Sequence, residues 1–409
     1  MNLRRAAIVS PLRTPVGKFL GTLAPLEAGE LGAIIIKALV ERTGIHPERV
    51  DDVVFSQGYG SGEAPAIGRW SWLAAGMPIS VPGYQLDRRC GSGLQAVASA
   101  AMMVQTGAAD MVLAGGVESM SNVEHYSTDI RKGARFGDLV LHDRLTRGRL
   151  MSQPIERFGV ISGMIETAEN LARDYGISRE ASDAYAVRSH RNAAAAWEAG
   201  KFDEHIVPVP VPQRKGDPLM FAKDEGFRED ASMETLSSLR AIEGKDNPDA
   251  VVTAGNASQQ NDAAAACLIV AEDKLAEFGL EPMLWLNGWA AAGCDPSRMG
   301  IGPVPAVDRL FHRSGMSWDD IGLVELNEAF APQVLAVLKG WGWSDDDSRR
   351  EMLNVNGSGI SLGHPIGATG IRILADMAHE MKRRDVRFGL ETMCIGGGQG
   401  MAAVFERAV

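Results

Sequence analysis

Two cysteines and one histidine, each set among glycines, are the residues of this chain best suited to chemistry. Cys90 lies in GYQLDRRCGSGLQAVASAAMMVQTGAADMVLAGG (Gly83–Gly116), where an extended segment runs into Gly91, Ser92 and Gly93 and a small-residue helix follows. A sulfur at a helix N-terminus meets unpaired N–H groups and the positive end of the helix dipole, which favour a thiolate. The three small residues after it leave room for a substrate. A cysteine among small residues is otherwise a buried hydrophobe. His364 sits in NVNGSGISLGHPIGATG (Asn354–Gly370), between a glycine and a proline that fix its backbone, although a lone histidine is more often a cap or core residue. Cys394 ends the strand of ETMCIGGGQG (Glu391–Gly400), and the glycines behind it let backbone amides approach a ligand closely. Asn327, in VELNEAFAP (Val324–Pro332), closes a further strand and stands before a helix, which it could merely cap. Two thiols and an imidazole suit a covalent thioester with a separate proton transfer.

These residues need a scaffold that brings strand ends together. An apolar strand at Ala6–Ser10, a helix over Ala28–Thr43 with a Gly44 stop, and a strand at Asp52–Phe55 give the order β-α-β, which the Cys90 segment repeats. That order predicts a mainly parallel sheet with helices on its faces. The pattern recurs in the C-terminal third. Thr43–Phe55 lines up with Ser314–Leu326, and Cys90–Val97 with Gly367–Leu374, at nearly one offset. A shared offset predicts duplicated halves about a pseudo-twofold, residues 1–272 and 273–409. Residues 119–250 break the pattern with a basic stretch, helices at Ile161–Tyr175 and Ser178–Ala199, and a proline-rich strand at Ile206–Pro212. They read as an inserted domain covering the first half. Open α/β sheets place ligands at the carboxyl ends of strands, where Cys90, Asn327 and Cys394 all fall.

Bulk properties narrow the function. At 409 residues the chain exceeds one typical core. Its formal charge of −11 argues against nonspecific nucleic-acid binding. Four cysteines without a CxxC pair, namely Cys90, Cys267, Cys294 and Cys394, suit neither a zinc site nor a disulfide scaffold, and no metal site is expected. A working thiol points to a reducing cytoplasm. The longest apolar run, Ala263–Ala271, is about half of the roughly 20 residues of a membrane-spanning helix. Gly357-Ser-Gly359 weakly echoes a dinucleotide loop, but Gly363 falls one place late and no acidic partner follows. Cys267 and Cys294 lack glycine-rich or basic surroundings and read as structural.

The motifs CGSGLQAV, GGVESMS (Gly115–Ser121), TAEN (Thr167–Asn170), TAGNAS (Thr253–Ser258), NEAFA (Asn327–Ala331), GHPIGATG and CIGGGQG, in this order, resemble those of the thiolase family along the whole chain. The resemblance implies a duplicated five-layer α-β-α-β-α fold with an inserted loop domain. It implies acyl transfer between acyl-CoA and CoA or acetyl-CoA, with coenzyme A as substrate and no permanently bound cofactor. Carried over residue by residue, it makes Cys90 the nucleophile, His364 its base and, with a water held by Asn327, the polariser of the substrate oxygen. Cys394 becomes the acid/base, and the N–H groups of Cys90 and Gly396 a second oxyanion hole. Ser258, Arg228 and Thr235 match CoA contacts. The family also implies at least a homodimer. The segment Val123–Asp138 resembles the loop that makes tetramers, so a homotetramer is expected, with a β-oxidation partner enzyme possible.

Two departures bear on the substrate. Gly163 stands where short-chain biosynthetic members have a histidine and Ile165 where they have a glycine, and Gln259 and Ala263 replace usual glycines. A longer, branched or polar 3-ketoacyl-CoA, such as 3-oxoadipyl-CoA, is therefore expected as readily as acetoacetyl-CoA. A ketoacyl synthase would carry a histidine at Cys394, and a cysteine hydrolase gives no reason for the second thiol. The remaining rival is a non-catalytic acyl-CoA-binding scaffold on the same fold.

Overall fold

The structure is a computed structural model and describes residues 3–133 and 135–408. In the N-terminal half, β1 (Ala6–Arg13), α1 (Ala28–Thr43), β2 (Asp52–Ser56), α2 (Ile67–Ala74), β3 (Gly83–Leu86), α3 (Ser92–Gln105) and β4 (Met111–Ser119) follow in order. Glu27 and Glu30 box the start of α1, and Gly44 ends it at φ 66°, a left-handed conformation open to glycine. Helices α4 (Met164–Tyr175) and α5 (Arg179–Glu198) come next, then the long buried strand β5 (Asn261–Ala271). The C-terminal half contains β6 (Leu284–Gly293), α6 (Pro303–Ser314), β7 (Leu323–Leu326), α7 (Ala331–Gly340), α8 (Thr369–Arg383), β8 (Phe388–Ile395) and β9 (Gln399–Arg407).

The main sheet runs β7-β8-β9-β6-β1-β5-β4-β2-β3, with the pair Gly17–Lys18 added beside β5. It reads alike from either end. On one side of the central β1·β6 contact the order is β1-β5-β4-β2-β3, and on the other β6-β9-β8-β7. A parallel bridge from Val324 to Leu353 stands where β3 stands in the first half. Ala7 pairs with Trp285 and Ile8 with Leu284 to join the two sides. The sheet is not mainly parallel. β7·β8, β2·β3 and β2·β4 are parallel, whereas β1·β5, β1·β6, β4·β5, β6·β9 and β8·β9 are antiparallel. Each half closes its βαβ units with one long antiparallel strand, β5 or β9, whose partners are invisible in a strand taken singly.

The layers follow from where the apolar faces point. Helices α1 and α2 bury Ile35, Leu39, Ile67 and Trp72 on one face of the N-terminal strands. Helices α3 and α8 share a core between the two sets of strands, with Leu94, Val97, Ile371 and Leu374. Helices α6 and α7 cover the far face with Val307, Leu310, Val334 and Leu338. The result is α-β-α-β-α. The 119–250 segment does not simply cover the first half. Its helices α4 and α5 bury Leu171 and Tyr185 in the C-terminal core, while its hairpin Val209–Val211/Leu219–Phe221 packs against the N-terminal one. The amphipathic face of α4 drives this, because its buried residues Ala168, Leu171 and Ala172 lie on one side.

Candidate active site

Cys90 lies in a single 3-10 turn, Arg89–Gly91, between β3 and α3. Arg89 adopts φ 49°, a strained conformation for a non-glycine residue, and Asp87 stabilises it by accepting its N–H at 2.6 Å. A side chain at Gly91 would strike Ile395 Cδ1 at 2.5 Å, so the turn lies directly against the end of β8. Helices α3 and α8 meet N-terminus to N-terminus. A Cβ on Gly93 would stand 2.8 Å from Gly370 N, so only glycines allow the crossing. This approach brings Cys90, His364 and Cys394 to one place.

Cys90 is 8% exposed. Burial raises its pKa above the ordinary thiol value, opposed by the Gly396 N–H hydrogen-bonded to it, by nearby Arg89 and by its own N–H. The free sulfur is therefore not the ready thiolate expected of a helix start: desolvation outweighs the local dipoles. Cys394 is fully buried and pushed further up by burial, with Cys90 and Cys294 near enough to oppose its ionisation. Both thiols rest as neutral S–H.

His364 is the group able to take a proton. Burial lowers its pKa to about 3, helped by the charges of Arg372 and Arg149, so the imidazole is neutral at physiological pH. Its backbone N–H donates to Asn261 Oδ1 at 2.8 Å, and its Nδ1 lies 2.7 Å from Thr369 Oγ1. The Thr369 hydroxyl donates to the Pro365 carbonyl at 3.0 Å and is left to accept from Nδ1–H. That accounting leaves Nε2 bare, and Nε2 is buried without a partner. Asn327 is fully buried with Nδ2 3.5 Å from His364 Nδ1, and its Oδ1 is likewise unpartnered. The orphaned Nε2 belongs to a residue of the cavity wall and marks a place for a polar atom of substrate or water.

The cavity has a volume of about 700 Å³ and is walled by Cys90, His364, Ser258, Gln259 and the apolar side chains of Met120, Met164, Met299, Phe330 and Ile366. Gly163 and Ile165, two of the sequence departures, line it as well. Cys394, Asn327 and Gly396 are not among the residues that line it. Of the expected CoA contacts only Ser258 is in the wall. Half-buried Arg228 donates its N–H to His190 Nδ1 at 3.2 Å, and exposed Thr235 caps the turn at Ser232. Cys267 is fully buried and Cys294 is pushed up to about 11 by burial, in keeping with structural roles.

Sequence reasoning missed Thr369, Asn261, Arg149 and Glu118. Glu118 is fully buried at the end of β4. It accepts the N–H groups of Gly58 at 2.8 Å, Tyr59 at 3.2 Å and Gly367 at 2.9 Å, tying the loops of both halves. Thr369 lay inside the GATG motif, and Asn261 just beyond TAGNAS. For Arg149 the only signal was the basic stretch it ends.

Comparisons with known proteins show the family to which the chain belongs. Residues 6–273 match the family description "Thiolase, N-terminal domain" and residues 280–407 "Thiolase, C-terminal domain". The chain is 47% identical over 404 residues to an acetyl-CoA acetyltransferase of Chromobacterium violaceum, covering 98% of this chain and 99% of that protein. Among solved structures it is similar to the Bacillus anthracis acetyl-CoA acetyltransferase, with a TM-score of 0.93 at 40% identity and full coverage of both chains. It is also similar to human mitochondrial 3-ketoacyl-CoA thiolase in complex with CoA, with a TM-score of 0.91 at 36% identity, covering 100% of this chain and 99% of that one.

Proposed function

The chain belongs to the thiolase family and is an acyltransferase, and from that premise we propose that it cleaves and forms 3-ketoacyl-CoA through a thioester on Cys90. In the cleaving direction His364 Nε2 takes the Cys90 proton and Sγ attacks the C3 carbonyl. The C2–C3 bond breaks, its electron pair passes into the acetyl-CoA enolate, and the Cys394 thiol protonates C2. The Cys394 thiolate then takes the proton of incoming CoA, whose sulfur attacks the Cys90 thioester. Cys90 leaves and recovers its proton from His364. Asn327 holds the water that, with His364, polarises the first oxyanion. The N–H groups of Cys90 and Gly396 face the second, and one such donor contributes roughly 2.7–4 kcal/mol of barrier lowering.

One observation carries this reading: Cys90 and a neutral His364 with a bare Nε2 share the wall of a single deep cavity. Coenzyme A acts as co-substrate, held in part by Ser258, Arg228 and Thr235. The halves divide near residue 272, with residues 119–250 inserted. We place the protein in the cytoplasm as a homotetramer. Among the described residues no helix is long and apolar enough to cross a membrane. Ile130, Phe136, Leu139, Val140 and Leu141 are exposed in and just beyond the Val123–Asp138 loop, and Phe136 is 97% exposed. CoA-dependent cleavage of acetoacetyl-CoA and of longer 3-ketoacyl-CoA thioesters tests the activity. Binding of CoA without cleavage of any of them would restore the scaffold reading.

A further inference from the structure

The cavity wall contains a cation with no carboxylate to meet it. Arg149 lines the cavity together with Cys90 and His364, and among the described residues its guanidinium forms no ion pair. Its neighbours are neutral. With the Gln260 amide turned to satisfy both groups, its oxygen accepts from the two η-nitrogens at 3.2 and 3.1 Å. The Tyr59 phenol, which donates to the Leu145 carbonyl at 3.4 Å, is near enough to feel the charge of Arg149. The cavity's one carboxylate, Glu243, forms no ion pair with Arg149.

The position of Arg149 is fixed at the reacting end. Gln260 precedes Asn261, which accepts the His364 N–H at 2.8 Å. On the other side, Ser152 donates its hydroxyl to the Arg149 carbonyl at 2.8 Å. The Ser152 carbonyl lies 2.9 Å from where a Cβ on Gly397 would stand, against the turn whose Gly396 N–H reaches the Cys90 sulfur. The charge is also felt at His364. The wall also holds apolar Met120, Met164, Met299, Phe330 and Ile366, with Lys18 as its second cation. Arg149 is half-buried at this wall, and its planar fork matches a carboxylate.

We propose that Arg149 receives a carboxylate on the acyl chain, so that the substrate class is a 3-oxoacyl-CoA whose acyl group ends in a carboxylate. This rests on the thiolase reading above. The reaction balances as there. The C2–C3 bond breaks, a bond forms between CoA sulfur and C3, and the thiol proton ends on C2. The products are acetyl-CoA and an ω-carboxyacyl-CoA two carbons shorter.

The test compares 3-oxoadipyl-CoA with 3-oxohexanoyl-CoA, two six-carbon chains differing in a terminal carboxylate or methyl. For the natural protein kcat/KM should favour the carboxylate. In Arg149→Gln the ratio of the two kcat/KM values should fall about 10- to 100-fold, the value of a charge-assisted pair. Arg149→Lys, which keeps the charge and loses the fork, should retain part of the preference. A natural protein that prefers the neutral chain, or a ratio unmoved in Arg149→Gln, overturns the proposal. So does an equal loss for both chains with a raised KM for CoA, since Arg149 would then serve a CoA phosphate. Failure to cleave either substrate would instead overturn the thiolase reading itself.

Discussion

The two halves of the sheet build the same turn and use it differently. In the N-terminal half the turn into α3 carries its reactive atom at the helix start, with Cys90 two residues before Ser92. In the C-terminal half His364 stands five residues before Thr369 and folds back onto it, Nδ1 to Oγ1. The strand ends also differ. Next to its last residue β4 carries Glu118, a carboxyl group that gathers three N–H groups from two loops, whereas the equivalent strand β8 carries there Cys394, a thiol beside Cys90. Repetition supplies two converging helix starts, and the differences between the copies supply the chemistry. One strand end braces the site while the other sets a second thiol beside Cys90.

The largest expected effect breaks that division at its thiols. Cys90→Ala should abolish the acyl adduct, read by intact-protein mass spectrometry after incubation with acetyl-CoA. Cys394→Ala should still acylate while condensation falls by about 10²–10⁴-fold, the usual contribution of a positioned acid or base. If both variants lose acylation alike, the two strand ends do not have separate tasks. The next effect concerns the crossing of α3 and α8. A Cβ on Gly370 would fall inside the contact radius of the Leu94 backbone nitrogen, where nothing can rotate away. Gly370→Ala should destabilise by about 3 kcal/mol, at the upper end of overpacking costs, measured by urea unfolding. Gly62→Ala, which meets open space, should change stability by less than about 0.5 kcal/mol. Equal effects would mean that the crossing tolerates a side chain.

What the sequence disclosed was local. The bounds of α1 and the start of β1 follow from periodicity and a glycine stop, and both were readable. The offset that pairs Cys90–Val97 with Gly367–Leu374 falls on α3 and α8, because each copy carries its own glycine punctuation. What stayed hidden depends on topology. The antiparallel neighbours of β5 and β9 arise from pairing across the sheet. His364 finds Asn261 103 residues away, and Gly367 finds Glu118 249 residues away. The depressed basicity of His364 comes from burial, which no motif states. The same burial overturned the expected thiolate at Cys90, since a helix start seen in sequence shows its dipole but not the desolvation around it.

The smallest effect sharpens the role of the bracing strand end. Burial raises the Glu118 pKa from 4.5 to about 7, against the three N–H groups that favour its ionised form. A carboxyl group whose folded pKa lies above its unfolded value binds its proton more tightly in the folded state. Its contribution to stability is full below pH 4.5 and is lost as pH rises to about 7, a difference of about 3 kcal/mol. Glu118→Gln removes the titration. The amide oxygen can replace Oε2, which accepts from both Gly58 and Gly367, but the amide nitrogen then faces the Tyr59 N–H that Oε1 accepted. One orphaned donor costs about 1–3 kcal/mol. The variant should therefore be less stable than the natural protein at pH 5, and the gap should close or reverse by pH 8, in urea unfolding of both across that range. A gap that stays constant would mean that Glu118 holds one protonation state throughout, and that its three N–H groups outweigh its burial.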